Sequence, residues 1–191
     1  MFNQVKIGTV RLACGSIPVR VMGRILLLTV VVCLSTMGKS EAQEGAGAAA
    51  LAQLRGLAGQ WEGSFEWTGA RTATGKMNAT YSETGNGSAV IESLTVDGVP
   101  AMTSVYHLDG ADLRMTHFCA AQNQPRLKAR QIDIAKGILD FEFVDATNLR
   151  SPDAPHVYGL EMRLLNADLV TLAFLFEGAV SAAGNSSTSS V

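Results

Sequence analysis

Residues 113–126 have the sequence LRMTHFCAAQNQPR, and this stretch decides the fold class of the chain. From Leu113 to His117, side chains suited to a buried face alternate with polar ones, the period-two pattern of a strand buried on one side, and Cys119 continues the buried phase. His117 falls in the buried phase of that strand. A polar loop ending at Pro125 follows directly. The stretch therefore predicts a half-buried β-strand that leads reactive side chains into a loop.

The same alternation continues from residue 59 to residue 177, interrupted by turn residues about every eight to twelve positions, as in an all-β sandwich or barrel. The expected strands are Gln60–Thr68, Lys76–Thr84, Ser88–Val96, Val99–Leu108, Asp112–Cys119, Arg126–Ile134, Ile138–Asp145, His156–Leu165 and Leu169–Glu177. Because the links are short, successive strands should pair as antiparallel neighbours, and closure removes the exposed edges. The sequence predicts an all-β, up-and-down antiparallel barrel of nine to ten strands with a short N-terminal helix at Ala48–Leu57.

The N-terminus has the features of a secretory signal peptide. Basic residues precede the uncharged apolar run 25–34, and Ser40 and Ala42 occupy the two positions that a signal peptidase recognises. The run is shorter than the ~20 apolar residues that a membrane span needs. We therefore expect cleavage after Ala42, a periplasmic or secreted protein, and no stable membrane insertion after cleavage.

This organisation divides the chain into four parts. The expected parts are a signal peptide (1–42), a tether and short helix (43–58), an antiparallel β-barrel (59–178) and a low-complexity, disordered tail (179–191).

Removal of the signal changes the charge of the chain. Five of the 15 Lys and Arg residues and one of the 17 Asp and Glu residues lie in residues 1–42, which leaves 10 basic and 16 acidic side chains and a formal charge of −6. No basic patch remains to bind a phosphate backbone, so nucleic acid is not an expected partner. Cys14 and Cys33 leave with the signal, and Cys119 then has no intrachain disulfide partner.

The phase of the strands and the lengths of the loops predict a binding site at one rim. Among the nine expected strands, the odd-numbered ones end and the even-numbered ones begin at the same end of the barrel. The longest loops, 69–75, 120–125 and 146–155, all fall at that end. Such an end is the expected mouth of a ligand-binding barrel. The side chains expected to line it are Met102, Ser104, Tyr106, Met115, His117, Cys119, Asn123, Arg126, His156 and Tyr158.

Several of these residues have more than one interpretation. His117 could be a metal or haem ligand or a general base, or a rim histidine bonded to backbone or to the Ser104 hydroxyl. With Cys119 and His156 it would supply a nitrogen and sulfur ligand set suited to zinc or copper. Asp140 and Glu142 fall in the outward phase of their strand and are expected to be a solvated face. No nucleophile elbow, phosphate loop or zinc-protease motif is present.

The segment Leu57–Gly63, LAGQWEG, resembles the opening of the lipocalin and fatty-acid-binding barrels, in which Gly-x-Trp closes one end. The strings MTHFCAAQNQPR, DFEFVDATNL and LLNADLV resemble a group of exported bacterial lipocalin-like proteins of unknown function. Gln122 departs from that group, which has a glycine there. The resemblance implies a fold and no activity. A more distant similarity, to nitrobindin-like barrels, implies a haem held by one histidine.

Together these features predict an exported barrel that binds a small apolar or amphipathic molecule at its open mouth, without catalysis. Two alternatives stay open: a haem- or metal-binding redox protein that uses His117 or His156, and an enzyme whose lumen histidine abstracts a proton. A free histidine titrates near 6.5, so protonation of either ring should weaken binding of an apolar ligand between about pH 7 and about pH 5.

Overall fold

The computed structural model describes residues 5–14, 40–68 and 72–177. These residues form one α-helix, one short 3-10 turn and ten strands. The elements are β1 (Val5–Cys14), α1 (Ser40–Arg55), β2 (Gly59–Trp67), β3 (Ala73–Thr84), β4 (Ala89–Val96), β5 (Val99–Asp109), β6 (Asp112–Phe118), β7 (Gln124–Asp133), the 3-10 turn Ile134–Lys136, β8 (Ile138–Thr147), β9 (His156–Asn166) and β10 (Leu169–Glu177).

The ten described strands make a closed antiparallel barrel in up-and-down order. Strands β2 to β10 each pair with the next strand along the chain, and β1 closes the barrel by pairing with both β10 and β2. This confirms the predicted all-β, up-and-down class and its strand number. Strands β2 to β10 correspond one by one to the nine predicted strands, with ends that differ by at most three residues.

The N-terminal part differs from the sequence-based organisation in two ways. Residues 5–14, expected within the signal peptide, form β1. Helix α1 begins at Ser40, before the predicted tether, and ends at Arg55, so most of residues 43–58 are helical. The apolar run 25–34 and the tail 179–191 lie outside the described residues, and the signal peptide and the disordered tail stay predictions.

Helix α1 packs against one end of the barrel. Ala50, Leu51 and Leu54 are buried there, and the indole nitrogen of Trp61 in β2 donates a 2.7 Å hydrogen bond to the Leu57 carbonyl just after the helix. The Gln53 side-chain amide donates to the Ile134 carbonyl at 3.3 Å. These contacts seal the end that carries most of the tight turns, because the helix covers apolar side chains that would otherwise meet water.

The turn chemistry matches the conformations that the backbone adopts. Asp97 and Gly98 have φ of 51° and 77°, the two positive values of the two-residue hairpin turn whose twist suits antiparallel strands. Gln122 also has a positive φ, 65°, in the left-handed region that favours glycine. A glycine would adopt this conformation at position 122 without the steric cost of a Cβ atom.

Most predicted strand faces are confirmed. In the β5–β6 hairpin, Ser104 pairs with His117 and Tyr106 pairs with Met115, and all four side chains are buried in the barrel. Phe141 in β8 is buried as expected. Asp140 is not a solvated residue: its side chain is 7% exposed, because the guanidinium of Arg163 forms an ion pair with it on the outer face.

Candidate functional site

An apolar cavity of about 380 Å³ lies at the end of the barrel opposite α1. It is formed by the last residues of β2, β4 and β10, the first residues of β3 and β5, and the segments that follow β6 and precede β9. Its walls consist of Phe65, Trp67, Ala73, Met77, Val96, Ala101, Met102, Cys119, Ala120, Ala121, Pro155 and Phe176. The volume lies in the range of small-molecule sites. The cavity therefore occupies the end where the sequence predicts a mouth, and Met102 and Cys119 of the predicted site line it.

A buried polar cluster lies deeper in the barrel than the cavity wall. The carboxylate of Glu92 in β4 accepts hydrogen bonds from the hydroxyls of Tyr81 at 2.6 Å, Tyr106 at 3.2 Å and Ser104 at 3.2 Å. The Ser104 hydroxyl also lies 3.0 Å from Nδ1 of His117. All five side chains are buried. A buried carboxylate is costly unless it is hydrogen-bonded, and here three hydroxyls meet that requirement.

The electrostatics of this cluster follow from burial. Burial raises the pKa of Glu92, and the hydrogen bonds from Tyr81, Tyr106 and Ser104 oppose that rise. Burial, together with the nearby Glu92 charge, raises the pKa of Tyr81 and of Tyr106 well above the usual value, so both hydroxyls keep their protons. The two tyrosines are therefore permanent donors to the carboxylate at neutral pH.

Sequence reasoning missed Glu92, although a signal for it exists. In β4, Val90, Glu92 and Leu94 share one phase and are all buried. A carboxylate at a position that faces the apolar core needs hydrogen-bond donors from neighbouring strands. Polar residues that break the apolar pattern in this way are expected at functional or strained sites. The partners on β3 and β5 could not be known without the register.

His117 is completely buried, and its ring centroid lies 5.0 Å from that of Phe174. Its Nδ1 lies 3.0 Å from the Ser104 hydroxyl, the partner named in the simpler interpretation of this histidine. Burial lowers the pKa of His117 to about 4. The expectation that this ring becomes charged between about pH 7 and pH 5 is therefore wrong for His117, because the lumen disfavours the cation. A neutral imidazole with so low a pKa is a hydrogen-bonding group rather than an effective general base at neutral pH.

Cys119 is a free, buried cysteine in the wall of the cavity. Its sulfur accepts a hydrogen bond from the backbone N–H of Ala121 at 3.4 Å, and burial raises the pKa of its thiol. Within residues 5–14, 40–68 and 72–177, no three His, Cys, Asp or Glu side chains are grouped so that they could hold a metal ion. The structure does not bring His117, Cys119 and His156 together as the metal hypothesis requires.

His156 and Tyr158 do not line the cavity as predicted. Pairing of β9 with β10 shifts between Gly159 and Val157, which makes Tyr158 the extra residue of a β-bulge. The bulge reverses the phase, so Val157 is completely buried while Tyr158 is only partly buried. His156 is buried with its ring centroid 4.9 Å from that of Phe143, and its Nδ1 lies 2.8 Å from the Ala154 carbonyl. The simple alternation that placed both side chains in the lumen fails at this bulge.

Two further predicted residues, Asn123 and Arg126, lie in different surroundings. The side-chain amide of Asn123 donates to the Pro155 carbonyl at 2.8 Å, and its backbone carbonyl accepts from the N–H of Cys119 at 3.0 Å. Arg126 is exposed and forms a two-point ion pair with Asp145, at 2.5 Å for both bonds, on the outer surface. Asn123 therefore joins Pro155 and Cys119, which both line the cavity, whereas Arg126 is not part of its lining. Met115 lies in the core below.

The fold and this cavity define a class: an antiparallel up-and-down β-barrel of lipocalin-like shape, an architecture compatible with ligand binding. No protein-family model matches the chain, and no curated protein matches it. Among the described residues, no helix is both long and apolar enough to cross a membrane.

Proposed function

We propose that the protein is exported and binds a small apolar or amphipathic molecule in the cavity at the open end of its barrel. The observation that supports this most is the character of the cavity wall. Aromatic rings, methionines and alanines form it, and no charged side chain contributes among the described residues. Apolar surface gains about 25 cal/mol for each Å² removed from water, so a ligand that fills this space gains affinity from the hydrophobic effect.

The position of the cavity adds to the proposal. α1 covers the opposite end, so the rim beside the segment Ala120–Pro125 is the entrance that remains for a ligand. Trp67 lines the cavity, whereas Trp61 is buried at the sealed end and bonded to the Leu57 carbonyl. The two tryptophans therefore report on different ends of the barrel.

The test is titration with N-phenyl-1-naphthylamine, an uncharged apolar fluorophore. We expect saturable binding at one site per chain, with quenching or energy transfer from Trp67. Ala73→Phe fills the cavity and should weaken binding at least about tenfold, since a bulky ring then occupies the ligand's space. Thr74→Phe is the matched control, because Thr74 is exposed on the opposite face of β3. Equal binding by both variants would show that the fluorophore binds elsewhere.

Export has its own test. Protein recovered from the periplasm or medium of an expressing bacterium should begin at Gln43, since Ser40 and Ala42 have the small side chains that a signal peptidase selects. Exported protein that retains the N-terminal residues 1–42 would contradict this part of the proposal and leave the binding test unaffected.

A further inference from the structure

The Nε2 atom of His117 is buried and has no hydrogen-bond partner within the described parts of the chain. A buried polar atom without a partner costs free energy, and in native proteins such an atom needs an explanation, such as a water, an ion or a functional role. Here the atom belongs to a side chain whose other nitrogen is fixed by a hydrogen-bonded cluster. Its chemical character can therefore be worked out.

The cluster determines which nitrogen of His117 carries the proton. With Glu92 ionised, the Ser104 hydroxyl donates its one hydrogen to the carboxylate. Its oxygen can then only accept in the 3.0 Å contact with Nδ1 of His117, so Nδ1 carries the proton. In the neutral ring, Nε2 is consequently a bare lone pair. It is an acceptor that lacks a donor.

His117 lies in the layer of side chains directly below the cavity. Met102 is two residues before Ser104 in β5, and Cys119 is two residues after His117, and both line the cavity. Phe174, whose ring contacts His117, is likewise two residues before the cavity-lining Phe176. Two residues along a strand correspond to about 6.8 Å on the same face. The acceptor is therefore about one side-chain layer from the space that a ligand would occupy.

We propose that the ligand of this cavity carries a neutral hydrogen-bond donor, a hydroxyl or an amide N–H, and that Nε2 of His117 accepts its hydrogen. This inference rests on the proposed function. His117 does not itself line the cavity, so this contact requires a neighbouring cavity side chain to move, and the unbranched thioether of Met102 can change rotamer readily. Lipid alcohols and phenols belong to this ligand class.

The same surroundings select against anionic ligands. No Lys or Arg side chain is buried among the described residues of the barrel interior. The only buried carboxylate of the cluster, Glu92, lies below His117 and would repel a second negative charge. A fatty-acid carboxylate would thus lose its hydration without gaining a cation or a donor. The cavity should discriminate between an alcohol and the carboxylate of similar size.

Three naphthalene probes separate these possibilities, each titrated calorimetrically into the full-length protein near neutral pH. 2-Naphthol offers an O–H donor, 2-methoxynaphthalene has none, and 2-naphthoate is an anion. We expect 2-naphthol to bind roughly fivefold to fiftyfold more tightly than 2-methoxynaphthalene, the factor that a hydrogen bond to an otherwise unsatisfied buried acceptor supplies. 2-Naphthoate should bind most weakly.

His117→Phe preserves the ring and removes the acceptor. It should bind 2-naphthol and 2-methoxynaphthalene with equal affinity. His107→Phe is the matched control, because His107 is in the same hairpin on the outer face and bonds the Leu108 carbonyl. It should retain the preference for 2-naphthol. A preference that survives in His117→Phe overturns the assignment.

Measurements on the wild-type protein keep the proposal testable if His117→Phe does not fold. In ¹⁵N-histidine spectra, 2-naphthol should shift the Nε2 resonance of His117, and 2-methoxynaphthalene should leave it in place. Equal affinities for these two probes with an unshifted resonance would mean that an enclosed water satisfies Nε2, and the inference would fail while the cavity function stands. No binding of any probe would refute the proposed function itself.

Discussion

Acidification should destabilise the folded protein through His117 in a way that can be calculated. The ring is completely buried, and burial lowers its pKa to about 4. A histidine in the unfolded chain has a pKa near 6.5, so below that pH His117 binds a proton in the unfolded chain but not in the folded protein. Stability therefore falls as the pH is lowered from about 6.5 towards about 4. Between about pH 7 and about pH 4.5, this one group lowers the free energy of unfolding by about 2 kcal/mol.

Urea denaturation of the wild type and of His117→Phe at both pH values isolates this effect. The raised pKa of Glu92 acts in the opposite sense, since its protonation at lower pH favours the fold, but Glu92 is present in both proteins and its contribution largely cancels. The difference in stability between the two proteins should change by about 2 kcal/mol in favour of the variant at the lower pH. His107→Phe controls for the loss of one histidine. Identical pH dependence in the wild type and His117→Phe would refute the burial argument.

Three other outcomes follow from the packing of the barrel. Phe141→Ala should cost about 3–5 kcal/mol, as truncation of a buried aromatic does, whereas the exposed neighbour Glu142→Ala should stay within about 0.5 kcal/mol of neutral in the same urea melts. Glu92→Leu leaves three buried hydroxyls without their acceptor and should cost about 3 kcal/mol or more, with Glu92→Gln less harmful. A protein that begins at Gln43 should show faster amide exchange along the edges of β2 and β10 than the full chain, because residues 5–14 pair with both.

The sequence predicts the barrel well because its main determinant, alternation, is local. Met115 and His117 could be placed inside from the β5–β6 hairpin alone, since a short turn fixes which residues face each other. The same logic fails at Tyr158, where a bulge reverses the phase. The bulge depends on how β9 pairs with β10, and its local sign in the sequence is Gly159, because a glycine inside a strand often marks a bulge. The prediction that Asp140 is solvated is wrong for a similar reason, because its burial depends on Arg163 from another strand.

The site was predictable only in part. Cys119 could be assigned to the mouth from its phase and its loop, and the cavity lies there. The importance of Glu92 was not recognised, because a carboxylate in the buried phase acquires meaning only when its donors are known. Those donors come from two other strands, Tyr81 from one and Tyr106 and Ser104 from the next. A network that joins three strands depends on the register of both strand pairs, which the alternation within a single strand does not give.

Removal of strand β1 would open the barrel between β2 and β10. Strand β1 is antiparallel to both β2 and β10, so β2 and β10 run parallel to each other. If residues 1–42 are removed on export, nine strands remain, and the gap can close only through a parallel pair or else leaves two open edges. Parallel pairing is slightly less stable per residue, and open edges expose unpaired N–H and C=O groups that favour association. Closure by an antiparallel strand is thus available to the unprocessed chain, while the processed chain either keeps two open edges or covers them with the parallel contact or with a strand from elsewhere. Fast amide exchange along β2 and β10 in protein that begins at Gln43 would indicate open edges, and slow exchange would indicate that the parallel contact or another strand has replaced β1.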